Sequence, residues 1–203
     1  MPVLIVKPGV NAYFDVTLTN VDILNGSYPA WCLEHSNKLL DSACADVTLS
    51  TNLDQFITNN SYSTEEITNA INWILNYDFT TEGYNFAEVQ FAIWKLLTGL
   101  DKTFSSYTLA SLQPGGNVIV NNAITAVGEG YAPNCGSYLG VALDPSGNVT
   151  GNGDNTAEDS QAIIIPVMME CNTSDSDCEE TIWAEGCYFP GNNWAMYFQF
   201  DNN

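Results

Sequence analysis

Two residues far apart in the chain carry the sharpest chemical suggestion. Cys32 lies in "YPAWCLEHSN" and Gln90 in "AEVQFAIWKLL". A cysteine sulfur that attacks a glutamine side-chain carbonyl expels ammonia and leaves an internal thioester. Such a bond requires a water-poor pocket and a scaffold that holds sulfur and amide together. Both segments supply apolar neighbours: Trp31 and Leu33 beside the thiol, and Phe91, Ile93 and Trp94 beside the amide. The plainer role for Gln90 is a hydrogen bond from a helix edge to a neighbouring strand.

Disulfide chemistry competes for the same sulfur. The six cysteines, Cys32, Cys44, Cys135, Cys171, Cys178 and Cys187, form an even set suited to an oxidising compartment. Complete pairing leaves nothing over, whereas a thioester at Cys32 leaves an odd number. The count therefore favours Cys32 in a disulfide, for example with Cys135, with Cys44 competing for either partner. No CxxC pair exists and the only histidine is His35, so a zinc site is disfavoured. His35 stands three residues from Cys32; on an extended segment the two point to opposite faces, which argues against a Cys–His nucleophile. There is no Gly-rich phosphate loop and no GxSxG, and adjacent carboxylates such as Glu65/Glu66 diverge in space. A non-enzymatic protein is expected.

Charge narrows the partners. Twenty-four acidic residues face 4 basic ones, a formal net charge of −20. Nucleic acid binding is excluded for want of Lys and Arg to meet the phosphates. No stretch approaches the length of a membrane span, so no membrane insertion is expected. The carboxylates read mainly as a solvated surface. The segment "DPSGNVTGNGDNTAED" nevertheless offers Asp144, Asn152, Asp154, Asn155 and Asp159 as oxygen ligands for calcium, without EF-hand spacing. Four Asn-x-Ser/Thr sequons, Asn25, Asn59, Asn148 and Asn172, are compatible with glycosylation of a secreted protein. "MPVLIVKPG" does not read as a signal peptide, so a secreted protein is expected here in mature form. Lys7 and Asn202 are the residue types of an isopeptide bond, with nothing further to join them.

The elements that must position Cys32 and Gln90 are of two kinds. Residues 1 to 50 read as strands: "LIV" precedes a Lys-Pro-Gly breaker, and Phe14, Val16 and Leu18 alternate with Asp15 and Thr17. The middle is helical. Ser63 and Glu66 form a capping box before the stripe Ile67, Ala70, Ile71, Ile74 and Leu75. Asn85 and Glu88 repeat the pattern before Val89, Ala92, Ile93, Leu96 and Leu97, and Gly99 closes the helix. A third, weaker helix is expected over Asn117–Val127. Strands return in "SYLGVAL", then a loop over Asp144–Asp159, then "QAIIIPVMM" and the alternating "WAMYFQF". The expected fold is a mainly β, sandwich-type domain over residues 1–203 with a helical insertion over 53–130, α+β overall.

"AWCLE" followed by "VQFAIW" resembles the paired Cys and (T)QxAIW motifs of thioester domains in surface adhesins of Gram-positive bacteria. Val89 stands where the Thr is common. "YAPNCGSYLGVAL", "QAIIIPV" and "ETIWAEGCYFPGNNWAMYFQF" are similar to segments of secreted microbial surface proteins with WC-acidic and QxAIW motifs. The resemblance implies a β-structure joined to a helical subdomain, Cys32 as thioester sulfur and Gln90 as acyl donor. Ala92, Ile93 and Trp94 would be the packing signature.

Three expectations about function follow. The first is an extracellular, non-enzymatic surface protein, adhesive or structural, whose "PVLIV" strand could be donated to a neighbouring subunit in a filament. Its partners would be other copies of itself, other subunits, or a host or environmental surface ligand. The second is a covalent adhesin acting through Cys32 and Gln90. The third is a carbohydrate-binding module, which would need exposed aromatic rings along a groove.

Overall fold

A computed structural model describes residues 5–8, 14–19, 24–35, 44–79, 81–104, 106–150, 161–170, 183–187 and 195–199. Of these, 5–8, 44–46, 146–150, 183–187 and 195–199 are described as backbone only. The fold is α+β, as the periodicities predict. Six strands form one antiparallel sheet in the order β1-β2-β3-β6-β5-β4: β1 Ile5–Pro8, β2 Phe14–Leu18, β3 Gly26–Cys32, β4 Cys44–Ser50, β5 Tyr138–Thr150 and β6 Ile163–Met168. β7 Trp183–Cys187 and β8 Ala195–Gln199 make a separate antiparallel ribbon. Three helices lie between β4 and β5: α1 Thr64–Asn76, α2 Phe86–Thr98 and α3 Leu109–Gly128.

Strand β3 changes partner along its length. Gly26–Ala30 pair with β2, and Trp31 and Cys32 pair with β6. Strand alternation then divides the core. One face carries Val16, Ala30, Cys32, Leu49, Leu143 and Ile163 in a single apolar cluster. The other face carries Trp31, Leu33, Ala142 and Ile164, which pack with α1, α2 and α3.

Local sequence explains where the helices start. Ser63 accepts from the Glu66 N–H while the Glu66 carboxylate accepts from the Ser63 N–H, and Asn85 and Glu88 do the same for α2. Gly99 ends α2 at φ +71°, a conformation L side chains rarely adopt. The predicted stripes of α1 and α2 are buried, but α2 also buries Gln90, Phe91 and Trp94. It is enclosed on more than one face, by the sheet and by α3.

Two sequence expectations are corrected. Helix α3 begins at Leu109, two turns before the expected start, and passes through Pro114, Gly115 and Gly116. Packing overrides the breakers: a Cβ on Gly116 would lie 2.2 Å from Phe91 Cδ1, so only glycine lets α3 approach α2. Strand β5 continues through Asp144 to Thr150, where a loop was expected. A register irregularity between Ala45 and Val47 sits opposite Pro145, which has no N–H for the ladder.

Candidate functional site

The residues around Cys32 meet α2 along one edge of β3. In an antiparallel strand, alternate residues direct their N–H and C=O to opposite sides. Leu33 donates its N–H to the Ala162 carbonyl at 2.9 Å, on the β6 side. Cys32 therefore presents its N–H and C=O to the other side, the one where Ala30 meets Phe14 of β2. The Gln90 side chain occupies that position. The Cys32 N–H donates to Gln90 Oε1 at 2.7 Å, and Gln90 Nε2 donates to the Cys32 carbonyl at 2.9 Å. The carboxamide thus pairs with Cys32 as a backbone amide of an adjoining strand would.

Both partners are sealed from water, with Cys32 1% and Gln90 0% exposed. Burying an amide is tolerated because both of its polar atoms are bonded. Cys32 is a free thiol. This corrects the expected Cys32–Cys135 disulfide: Cys32 sits on the core face of β3 among Trp94 and Ile163, while Cys135 is bonded elsewhere. The Cys44 and Cys187 side chains, Cys171 and Cys178 lie outside the described residues. Burial pushes the Cys32 thiol well above the ordinary cysteine range, so the unreacted group is the neutral thiol rather than the thiolate.

The segment after Cys32 is held as firmly. The Glu34 carbonyl accepts from the Trp94 indole N–H at 3.1 Å and also from Gln161 Nε2. The Glu34 carboxylate accepts the Ala162 N–H at 2.9 Å. His35 turns away from the thiol: its Nε2 lies 2.8 Å from the Thr103 carbonyl, and its ring meets Trp94 edge-on at 4.9 Å. Trp94 in turn meets Phe104 at 5.8 Å. An aromatic group therefore closes the site on the side of the loop between α2 and α3.

The other predicted sites fare differently. Asp144 stands in β5, where Gln55 Nε2 donates to it at 3.2 Å. Burial, then the nearby Glu34 charge, hold its carboxyl above the ordinary aspartate range, while the Gln55 bond works against them. Its proposed calcium companions Asn152, Asp154, Asn155 and Asp159 lie outside the described residues, and no cluster of three metal-ligating side chains occurs among the described ones. Asn59, one of the predicted glycosylation acceptors, is buried in this fold. It is 8% exposed, its Nδ2 donates to the Leu96 carbonyl at 2.9 Å, and its Oδ1 accepts the Ser61 N–H. Asn25 is exposed, the Asn148 side chain is not described, and Asn172 and Asn202 lie outside the described residues. Strand β1, including Lys7, pairs with β2 of its own chain. Trp73 and Tyr77 stack on each other with ring centroids 4.6 Å apart.

Residues the sequence did not single out complete the site. Gln161 is buried beside Glu34, and nothing in "DSQAIII" marks it except a polar residue at the head of an apolar strand. Asn72 and Asn76 perform on β5 the task Gln90 performs on β3. Asn72 Oδ1 accepts the Gly140 N–H at 2.8 Å, and Asn76 pairs with both the N–H and the C=O of Tyr138.

No protein family matches the chain, and no curated protein is similar to it. Among solved structures, the chain is similar to the N-terminal thioester domain of fibronectin-binding protein SfbI from Streptococcus pyogenes. The identity is 13%, 80% of this chain and 91% of that chain are covered, and the TM-score is 0.47.

Proposed function

We propose that this chain is an extracellular adhesive domain in which Cys32 and Gln90 close an internal thioester that captures a surface nucleophile covalently. One observation carries the reading: the Gln90 carboxamide is bonded at both ends to the backbone of Cys32 itself, inside a dry core. A new bond joins Cys32 Sγ to Gln90 Cδ, the Cδ–Nε2 bond breaks, and the thiol proton leaves with the nitrogen as ammonia. The Cys32 N–H already points at Oε1, where negative charge develops as sulfur adds, so it serves as the oxyanion donor. The incoming nucleophile later adds to Cδ, transfers its proton to sulfur, and restores the thiol. The cycle runs once, so the protein is not an enzyme.

Intact mass spectrometry tests this. The purified chain should weigh one ammonia less than its sequence and its disulfides require. Gln90→Ala should abolish that deficit, and methylamine should replace it with one covalent adduct. A full-mass protein with an alkylatable Cys32 after denaturation would refute the chemistry.

A second reading keeps the surface role without the covalent step. In it, Gln90 ties α2 to the β3 edge, as Asn76 ties α1 to β5. The similar engagement of Asn76, which has no cysteine at its partner Tyr138, favours it. Full mass together with retained binding to a surface ligand would select this reading.

A further inference from the structure

Gln90 and Trp94 are four residues apart on α2, and their backbone partners Cys32 and Glu34 are two apart beyond the β2 pairing. Four helical residues advance about 6 Å. Gln90 and Trp94 thus reach the main chain at the end of β3 and just beyond it, where side chains of α2 take the place of a neighbouring strand. One rung is the amide that would react. The other, at Glu34, is shared by the Trp94 indole and Gln161.

We infer that Trp94 and Gln161 are positioning residues for the Cys32–Gln90 pair: by fixing the Glu34 carbonyl they set the register in which sulfur meets the amide. The inference rests on the thioester reading and deepens it. Gln161 acts through the main chain two residues beyond the nucleophile, and Trp94 does so too while also packing in the apolar cluster that holds Cys32. The Glu34 carboxylate on the Ala162 N–H and the Leu33 N–H on the Ala162 carbonyl bind the same segment to β6. With Gln161 and Ala162 holding the segment on the β6 side, the Trp94 bond sets how closely it lies against α2. Orientation at this level is worth much in an intramolecular reaction, since small misplacements of reacting atoms are amplified in the rate.

The test follows closure directly. Concentrated ammonium salt reverses the thioester: ammonia adds to Gln90 Cδ, the thiol is released and the carboxamide is restored. After rapid desalting, the return of the one-ammonia mass deficit in the folded chain gives the closure rate. Trp94→Phe removes the indole donor and keeps an aromatic ring against His35 and Phe104. Gln161→Leu removes the other donor. Each should slow closure about tenfold, the scale of one hydrogen bond's worth of orientation. Ile119→Val, in the α3 core, serves as a control of comparable thermal destabilisation and should close at the parental rate. Parental closure rates in both Trp94→Phe and Gln161→Leu would overturn the inference, as would equal slowing in the control. If the parent itself never shows the deficit, the thioester reading falls, and the positioning role falls with it.

Discussion

The most direct consequence of the Gln90 geometry is a stability difference that can be measured without any covalent chemistry. In a Cys32→Ala background no thioester can form, yet the N–H and C=O at position 32 remain. Adding Gln90→Leu then removes only the carboxamide. Two buried backbone groups lose bonds of 2.7 and 2.9 Å and gain nothing in return. Each unpaired buried group costs about 1–3 kcal/mol, so the pair costs about 2–6 kcal/mol. Leucine recovers about 1 kcal/mol through apolar burial. The expected net loss is about 1–5 kcal/mol, set against the roughly 5–15 kcal/mol typical of a folded domain. Urea unfolding followed by tryptophan fluorescence reads it as a lower midpoint at unchanged slope. A loss under about 1 kcal/mol would refute the claim that the carboxamide stands in for a strand at this edge.

Two further outcomes test separate parts of the structure. Asp144 has its folded carboxyl raised by burial and by Glu34, so the folded state keeps the proton where the unfolded state has lost it. Stability from this group therefore falls as pH rises from the ordinary aspartate range towards neutrality. Asp144→Asn should gain on the parent across that interval, and a urea-midpoint difference independent of pH would contradict the assignment. Gly116→Ala should destabilise by about 1–3 kcal/mol, as overpacking does, because its Cβ would lie 2.2 Å from Phe91 Cδ1 in a fully buried ring. A neutral or stabilising result in thermal unfolding would mean that helix propensity outweighs the clash.

Much of this was legible because its causes are local. Capping boxes at Ser63 and Asn85, the terminating Gly99 and the 3.6-residue stripes fix α1 and α2 from short-range chemistry. The alternation of β2 appears as predicted, with Phe14, Val16 and Leu18 inward. The expectations that failed depend on distant partners. Pro114-Gly115-Gly116 reads as a break until Phe91 and Glu88 are placed against it. The length of β5 depends on pairing with β4, which continues past Pro145 to Cys44↔Thr150. At the site, Cys32 and Gln90 were recognisable as a pair by residue type and motif. That Gln90 grips the backbone of Cys32, and that Gln161 joins Trp94 on Glu34, comes from bringing residues 32, 90 and 161 to one strand end. No spacing in the sequence encodes that meeting.

The two-ended grip on Cys32 bears on which nucleophiles would leave a comfortable product. A carboxamide has an N–H for the Cys32 carbonyl; a thioester at the same carbon does not. Under the proposed chemistry, closing the bond silences one buried acceptor while Oε1 still serves the Cys32 N–H. Attack by ammonia restores the primary carboxamide and its N–H to that carbonyl, whereas a primary amine forms a trans secondary amide whose substituent takes the place of the hydrogen beside Oε1. Attack by water or an alcohol forms an acid or an ester, and the ester leaves the acceptor bare. The strand edge would thus tell the products apart after the fact, favouring the restored carboxamide by the hydrogen bond it regains and leaving the Cys32 carbonyl unpaired in a captured product.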